Sequence, residues 1–297
     1  MRYIDERMVA GVLRMQDLIP TMRQALIDYS HGAIAQPARR IFAVPQHGGF
    51  FGSMPAASAN ALGAKLVTFY PGNRERNLHT HMGVIVLFQS DTGEPIAIMD
   101  GRLITEMRTS AVTATYIDAV AAPSVKTLAI LGAGTQAKSH IEALSHVRQF
   151  EEIRIWNRTR ERAEQLAVTV GGKVMSREEA VHDAEVVVVA TSSAEPVLEG
   201  KWLRRGAKVA TVGWAGADGC EVDAVTMSHI IIVDSRDGTL AESGNIRRFN
   251  AKIYAELGEV LDGSRPVDPE ATVVFDSIGM ACEDIAAATL VYDKLMT

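Results

Sequence analysis

The sequence has only two cysteines, and they lie far apart. Cys220 and Cys282 stand outside any CxxC spacing, so we expect neither a disulfide framework nor a cysteine-based zinc site, because both need several closely spaced cysteines. Free cysteines are commonly buried. We therefore expect two reduced, structural thiols.

Excess basic charge and long hydrophobic runs are absent as well. The 30 Lys and Arg against 36 Asp and Glu give a formal net charge of −6, which provides no basic stripe for a phosphate backbone, so no nucleic-acid partner is expected. No segment approaches the roughly 18 apolar residues that span a bilayer, and the charged N-terminus lacks the apolar stretch of a signal peptide. These observations predict a soluble, cytoplasmic protein with no membrane partner.

The chain is long enough for two domains, since its 297 residues are 47% hydrophobic and exceed the usual size of one domain. Apolar residues at helical spacing predict a helix over residues 17–30, and a segment free of Gly and Pro predicts a long connecting helix over 105–122. Between them, short β-rich runs separated by turn residues predict a small mixed or antiparallel sheet. Its predicted strands are residues 41–44, 65–70, 84–88 and 95–100.

From residue 125 onward, continuous apolar strands alternate with helices. Strand 125–131, a Gly-rich turn, a helix and strand 153–157 form one βαβ unit. Later apolar runs at 185–190, 207–212 and 230–234 predict a parallel sheet covered on both faces. A final helix is predicted over residues 277–295.

The turn after the first of these strands carries a phosphate-binding fingerprint. It reads Gly-Ala-Gly-Thr-Gln-Ala over residues 132–137, and it follows an apolar strand and opens a helix, as the GxGxxG/A motif requires. Gly132 permits the tight turn, Gly134 lets backbone N–H groups approach a pyrophosphate, and Ala137 allows close helix–strand packing. A Rossmann-type dinucleotide-binding domain is therefore predicted.

The end of the next strand indicates which dinucleotide is bound. NAD enzymes place an acid there for the ribose 2′-hydroxyl, but this sequence has Asn157, Arg158 and Thr159. A guanidinium and a hydroxyl suit a 2′-phosphate, and no acid stands at this position to repel it. The alternative is a solvated helix start with Thr159 as its N-cap. We predict NADPH as the cofactor, with NADH as the alternative.

Several cations and two histidines stand beside apolar segments of the first domain: Arg39, Lys65, His79, His81 and Arg108. Because an unpaired cation is costly there, an anionic partner such as a substrate carboxylate is one interpretation. A solvated surface cation is the other interpretation for each residue taken singly. The two histidines lie two residues apart without a third ligand nearby, so no metal is expected.

Short blocks of sequence in a fixed order extend along the whole chain, at residues 36–39, 52–56, 65–70, 99–101, 108–111, 130–137, 155–159, 255–259 and 277–281. In these blocks the chain resembles the ornithine cyclodeaminase/mu-crystallin family from end to end. The resemblance implies an α/β fold with a Rossmann-type doubly wound parallel sheet plus a second α/β domain for substrate binding and dimerisation. Residues 1–115 with 271–297 would form the substrate-binding domain of a homodimer, and residues 116–270 the NAD(P)-binding domain.

The resemblance also implies the site residues. Lys65 matches the family's catalytic lysine, and it binds the substrate together with Arg39 and Arg108. The positions expected to contact the cofactor are Thr80, His81, Arg108, Gly132, Gly134, Thr135, Gln136, Asn157, Arg158, Thr159, Thr191, Val212 and Ser277.

One departure from the family bears on the reaction. Cyclodeaminases and alanine dehydrogenases of the family carry an acid/base aspartate two residues after a Val-Gly pair, but here Val212 and Gly213 are followed by Trp214 and Ala215. Asp218 aligns with an aspartate of the mu-crystallin-like pattern and is expected to be structural. Deamination needs a base to move protons. We therefore predict an NADPH-dependent reductase that converts a 2-imino acid or cyclic ketimine, such as 1-pyrroline-2-carboxylate, to an L-amino acid.

Two other functions stay open on the sequence alone. One is an ornithine cyclodeaminase or an alanine-type amino-acid dehydrogenase that uses NAD. The other is a non-catalytic protein that binds NADPH and a small ligand, although the presence of Arg39, Lys65 and Arg108 argues against lost chemistry. In each case the partner is a small imino or amino acid.

Overall fold

Within residues 1–213 and 218–297, which the computed structural model describes, the chain divides into two units. The first unit comprises Met1–Arg108 and Met280–Thr297, and the second comprises Thr109–Gly279. No helix in the described part of the chain is long and apolar enough to cross a membrane.

Each unit is built on its own sheet, and the elements are numbered in chain order. The strands are β1 (Arg2–Ile4), β2 (Arg40–Val44), β3 (Gly49–Ala57), β4 (Leu62–Phe69), β5 (His81–Phe88), β6 (Pro95–Asp100), β7 (Thr127–Leu131), β8 (Glu152–Trp156), β9 (Lys173–Val174), β10 (Val186–Val189), β11 (Lys208–Thr211), β12 (Ile230–Val233), β13 (Ile253–Glu256) and β14 (Val273–Asp276). The helices are α1 (Glu6–Val12), α2 (Met15–Ser30), α3 (Arg102–Val120), α4 (Thr135–Ser145), α5 (Arg160–Val170), α6 (Arg177–Val181), α7 (Arg236–Glu242), α8 (Gly244–Phe249), α9 (Leu257–Leu261) and α10 (Ala281–Met296).

The sheet of the first unit is mixed, in the order β1-β6-β5-β4-β3-β2. Strand β1 is parallel to β6, and the other neighbouring strands are antiparallel. The sheet is larger than the sequence pattern predicts, because β1 and β3 were not expected. Strand β3 contains Gly49, Gly52 and Pro55, which are turn-forming residues by local preference, and its pairing on both sides overrides that preference.

Helix α10 packs against β3, β4 and β5 of this sheet and against α2. Gly63 on β4 permits the close approach, because an added Cβ would lie 2.9 Å from Ile285 Cδ1 of the helix. Two residues along the same strand, Lys65 pairs with Met54 on one side and Ile85 on the other, and all three side chains are buried. A lysine therefore occupies the centre of an otherwise apolar layer.

The second unit contains a fully parallel sheet in the order β13-β12-β14-β11-β10-β7-β8-β9. Strands β10, β11 and β14 are buried at every residue, as continuous apolar strands of a parallel sheet require. The chain runs from β7 to β9 in one direction and from β10 to β11 in the other. Ligands of open α/β sheets bind beyond the carboxyl ends of the strands at such a reversal.

The C-terminal helix begins later than the pattern predicts. Residues 277–280 precede α10, and Gly279 adopts φ +73°, a left-handed conformation that does not continue into a helix. The residues before this segment form β14, an unpredicted strand that inserts between β11 and β12.

Candidate active site

Lys65 is a buried amine in the middle of β4. Its side chain is almost fully buried, and Nζ lies 2.5 Å from Asp284 Oδ2. Burial lowers the pKa of Lys65 to about 8; Asp284 opposes this shift, whereas the neighbouring charges of Arg108 and Arg39 add to it. The amine therefore loses its proton at a lower pH than an ordinary lysine does.

Arg108 on α3 joins the same group. Its Nε donates to Asp284 Oδ1 at 2.9 Å and its Nη1 donates to Glu283 Oε2 at 2.6 Å. Both acids are fully buried in the first turn of α10, where the positive end of the helix also favours negative charge. Burial alone would raise the pKa of Asp284, but Arg108 and Lys65 hold it below its ordinary value. We call Lys65, Arg108, Glu283 and Asp284 the charged cluster.

Two further predicted site residues stand beside the charged cluster. His81 opens β5, and burial together with the charges of Lys65 and Arg108 lowers its pKa to about 4, so its ring is neutral at physiological pH. Arg39 precedes β2, is partly buried, and lies near enough to lower the pKa of Lys65. Thr80 directly precedes His81, and its carbonyl oxygen accepts a backbone hydrogen bond. The structure thus brings the predicted substrate residues of the first unit together.

The two acids of the charged cluster were not predicted from the sequence. Glu283 and Asp284 stand side by side at the start of a helix that is otherwise rich in apolar residues, and acids in a first helical turn are ordinarily solvated. A usable signal was present, because a helix with apolar residues on nearly every face must bury its acids against cations.

The predicted cofactor residues of the second unit share one edge of the parallel sheet. They follow the carboxyl ends of five strands that are neighbours in the order β14-β11-β10-β7-β8. These residues are Gly132, Gly134, Thr135 and Gln136 after β7; Asn157, Arg158 and Thr159 after β8; Thr191 after β10; Val212 after β11; and Ser277 after β14. Strand direction alone places them on that edge.

The phosphate turn has the geometry that a dinucleotide requires. Gly132 adopts φ +124°, and an added Cβ would collide with the carbonyl oxygen of Ala190. Above Gly134 an added Cβ would meet open space, and α4 begins at Thr135 without a capping side chain or an acid in its first turn. Gln136 Oε1 is buried and has no hydrogen-bond partner among the described residues. An uncapped helix start beneath open space fits an anionic pyrophosphate.

The residues after β8 leave one guanidinium exposed. Asn157 Nδ2 donates to the carbonyl oxygen of Thr159 at 2.8 Å, which orders this short segment. Thr159 is the N-cap residue of α5, but its hydroxyl makes no capping hydrogen bond. Arg160 pairs with Glu164 at 2.8 Å, whereas Arg158 is exposed and forms no ion pair with any residue that the structure describes. The Arg158 side chain is therefore accessible to a phosphate.

A buried acid that was not predicted from the sequence lies at the same edge. Glu221 Oε1 accepts hydrogen bonds from the backbone N–H and the hydroxyl of Thr191 at 2.7 and 2.5 Å, and Oε2 accepts from the N–H of Gly213 at 2.8 Å. Trp214 and Ala215, on which the argument about a missing acid rests, lie outside the described residues. Asp218 is exposed.

A Rossmann-type parallel sheet, with a phosphate turn, together with a second α/β unit that buries a charged cluster, defines the class of protein. The chain belongs to the ornithine cyclodeaminase/mu-crystallin family, whose sequence model matches residues 4–297. The family and the α/β fold class expected from the sequence are both confirmed.

Similar proteins cover nearly the whole chain. Ketimine reductase mu-crystallin of Mus musculus is 44% identical over 93% of this chain and 91% of its own. The Delta(1)-pyrroline-2-carboxylate/Delta(1)-piperideine-2-carboxylate reductase of Azospirillum brasilense is 32% identical over 96% and 93%. The structure of Thermococcus litoralis Delta(1)-pyrroline-2-carboxylate reductase in complex with NADH and L-proline matches with a TM-score of 0.94 at 30% identity, covering 100% of this chain and 98% of that one.

Proposed function

We propose that this protein is an NADPH-dependent reductase that converts a 2-imino acid or cyclic ketimine, of the 1-pyrroline-2-carboxylate type, to an L-amino acid. The observation that carries the proposal is the buried amine of Lys65, held by Asp284 beside Arg108. The relatives support it, because the mouse, Azospirillum and Thermococcus proteins are all named as reductases of such imines.

The cofactor would be held by the sheet edge of the second unit. The phosphate turn and the start of α4 suit the pyrophosphate, and the accessible Arg158 with the Thr159 hydroxyl suits a 2′-phosphate. NADPH is therefore proposed, with NADH as the alternative, since the Thermococcus structure contains NADH. When bound, the reduced nicotinamide supplies a hydride to the imine carbon.

The cations of the first unit support an anionic substrate. Lys65 and Arg108 belong to the charged cluster, and Arg39 lies near enough to lower the pKa of Lys65. A substrate carboxylate would accept charge-assisted hydrogen bonds from such cations. We therefore assign substrate binding to Arg39, Lys65 and Arg108.

Lys65 would donate the proton that completes the reduction. Reduction of an imine adds a hydride to carbon and a proton to nitrogen, so an acid must stand beside the nitrogen. An ammonium with a pKa of about 8 carries its proton at neutral pH and releases it more readily than an ordinary lysine does. Asp284 forms an ion pair with Nζ, which fixes the position of the amine. The activity kcat/KM should fall as pH rises through about 8, because the donor form is lost.

We also propose a homodimer in the cytoplasm. Four apolar side chains of β2 and β5 are exposed, namely Ile41, Phe42, Met82 and Val84, and β2 is an edge strand of its sheet. Exposed apolar groups and an unpaired edge are features of a subunit interface. Neither cysteine forms a disulfide with a described residue, and both are buried, in accord with a reducing compartment.

The test is turnover by the purified protein. With NADPH and either 1-pyrroline-2-carboxylate or 1-piperideine-2-carboxylate, nicotinamide absorbance should fall and proline or pipecolate should form, more slowly with NADH. Ornithine with NAD+ should yield no proline, and alanine with NAD+ should yield no pyruvate. NADPH binding without oxidation by any imino acid would favour the non-catalytic function instead and overturn the proposal.

A further inference from the structure

One buried carboxylate at the edge of the parallel sheet is not used by the reaction proposed above. Glu221 is 3% exposed and accepts three hydrogen bonds from two strand ends, at Thr191 after β10 and at Gly213 after β11. These strands are neighbours in the sheet. A single side chain therefore links the two strand ends at the edge where dinucleotides bind.

The approach of the two strand ends is close. An added Cβ at Gly213 would collide with the carbonyl oxygen of Thr191 and with Glu221 Oε1, so glycine is required there. Both oxygens of Glu221 act as acceptors, and an amide side chain offers only one acceptor oxygen. A carboxyl group is thus the side chain that satisfies both strand ends at once.

The surroundings of Glu221 make its ionised form energetically unfavourable, which is unusual for an acid that serves the fold alone. Within the described residues no Lys or Arg forms an ion pair with it, and burial raises its pKa to about 8 despite the bonds from Thr191 and Gly213, with the charge of Asp276 adding to the rise. A small cavity of about 50 Å³ borders Glu221. Two of its other lining residues, Val212 and Ser277, are positions expected to contact the cofactor.

We propose that Glu221 is a positioning residue of the dinucleotide site, which holds the main chain at Thr191 and Gly213 so that Thr191 and Val212 meet the cofactor. The inference rests on the proposed function, because it presupposes that this edge binds NADPH. Glu221 acts through the strand ends and does not itself take part in the reduction.

The experiment measures NADPH binding by fluorescence titration in wild-type protein and in Glu221→Gln, apart from any turnover. The amide loses one acceptor and sets an N–H group against a backbone donor. The dissociation constant should rise about tenfold to hundredfold, because a buried backbone N–H group is left without an acceptor. In steady-state assays KM for NADPH should rise, and kcat at saturating NADPH should stay within about twofold.

Asp223→Ala is the control for the loss of a buried acceptor. Asp223 Oδ1 accepts from the backbone N–H groups of Gly200 and Thr226 and from the Thr226 hydroxyl, so its removal also leaves backbone N–H groups without an acceptor, but neither partner is an expected cofactor position. Its replacement should lower the melting temperature and leave the dissociation constant of NADPH within about twofold of wild type.

Each result decides between the inference and the proposed function. Equal NADPH affinity in Glu221→Gln and wild type, or an equal loss of affinity in both variants, overturns the inference and leaves the proposed function intact. A wild-type protein that binds neither NADPH nor NADH overturns both. Should Glu221→Gln fail to fold, Glu221→Asp, whose shorter side chain reaches only one strand end, is judged by the same criterion.

Discussion

Each unit of the protein buries a carboxyl group in its polar site, and the two groups have opposite surroundings. Asp284 in the first unit lies between the cations Lys65 and Arg108, and its pKa lies below the ordinary value. Glu221 in the second unit is bonded to two backbone N–H groups and a hydroxyl, and burial raises its pKa to about 8. Burial disfavours the ionised form of both carboxyl groups, so the presence or absence of neighbouring cations decides the direction of each pKa shift.

This difference in surroundings indicates different roles for the two polar sites. In the first unit, paired full charges surround a titrating amine, and we propose that an anionic substrate binds beside them. In the second unit, neutral donors and glycines set the shape of a sheet edge, and the exposed Arg158 forms no ion pair with a described residue. Changes in the charged cluster should therefore alter turnover and its pH dependence, and changes at the sheet edge should alter cofactor affinity.

The largest effect is expected at Lys65. Lys65→Met removes the proposed proton donor and should lower kcat by about 100- to 10,000-fold, the usual contribution of general acid catalysis. NADPH affinity, measured by fluorescence titration, should stay within about twofold, because the sheet edge is unchanged.

A second buried lysine provides the control. Lys208 is 2% exposed and its Nζ donates to the carbonyl oxygens of Pro269 and Ala271. Lys208→Met should reduce stability and leave kcat unchanged. Comparable losses of kcat in both variants would mean that Lys65 supports the fold and not the reaction.

The next effect concerns the partner of Lys65. Asp284→Asn removes one member of a buried ion network and should lower the free energy of unfolding by about 3–5 kcal/mol, measured by urea denaturation. Since Asp284 is the group that opposes the lowering of the Lys65 pKa, the fall of kcat/KM with rising pH should move to lower pH. An unshifted pH profile would show that the titrating group is not Lys65.

The smallest effect is expected at Arg158. Arg158→Ala should raise the dissociation constant of NADPH about tenfold to hundredfold, because hydrogen bonds to a charged phosphate are lost, and should leave that of NADH unchanged. Arg160→Ala is the control, since its exposed pair with Glu164 contributes little. If both variants discriminate equally between NADPH and NADH, cofactor choice does not depend on Arg158.

Local patterns in the sequence predicted much of the second unit. Apolar strands such as β7 and β10 are continuous and short, and the turn at residues 132–137 has its own geometric demands, so both can be inferred from neighbouring residues. Strand β3 could not, because its Gly and Pro residues are strand-compatible only through pairing with β2 and β4. Strand β14 was also missed, since its Val-Val-Phe-Asp run is too short to distinguish from a buried helix segment.

The candidate site divides in the same way. For residues such as Gly132 and Arg158, the predicted role follows from the local motif alone. Glu283, Asp284 and Glu221 do not, since an acid is ordinary in any sequence and becomes informative only when it is buried beside particular partners.

The sequence by itself determined the family, the parallel sheet, the phosphate turn and the absence of an acid at the ribose position, because each of these depends on residues that are close in the chain. Only the tertiary structure decided that Lys65 contacts Asp284 and that Glu221 links two strand ends. Such contacts join residues that are distant in sequence, and the burial that gives these groups their shifted pKa values exists only after the chain has folded.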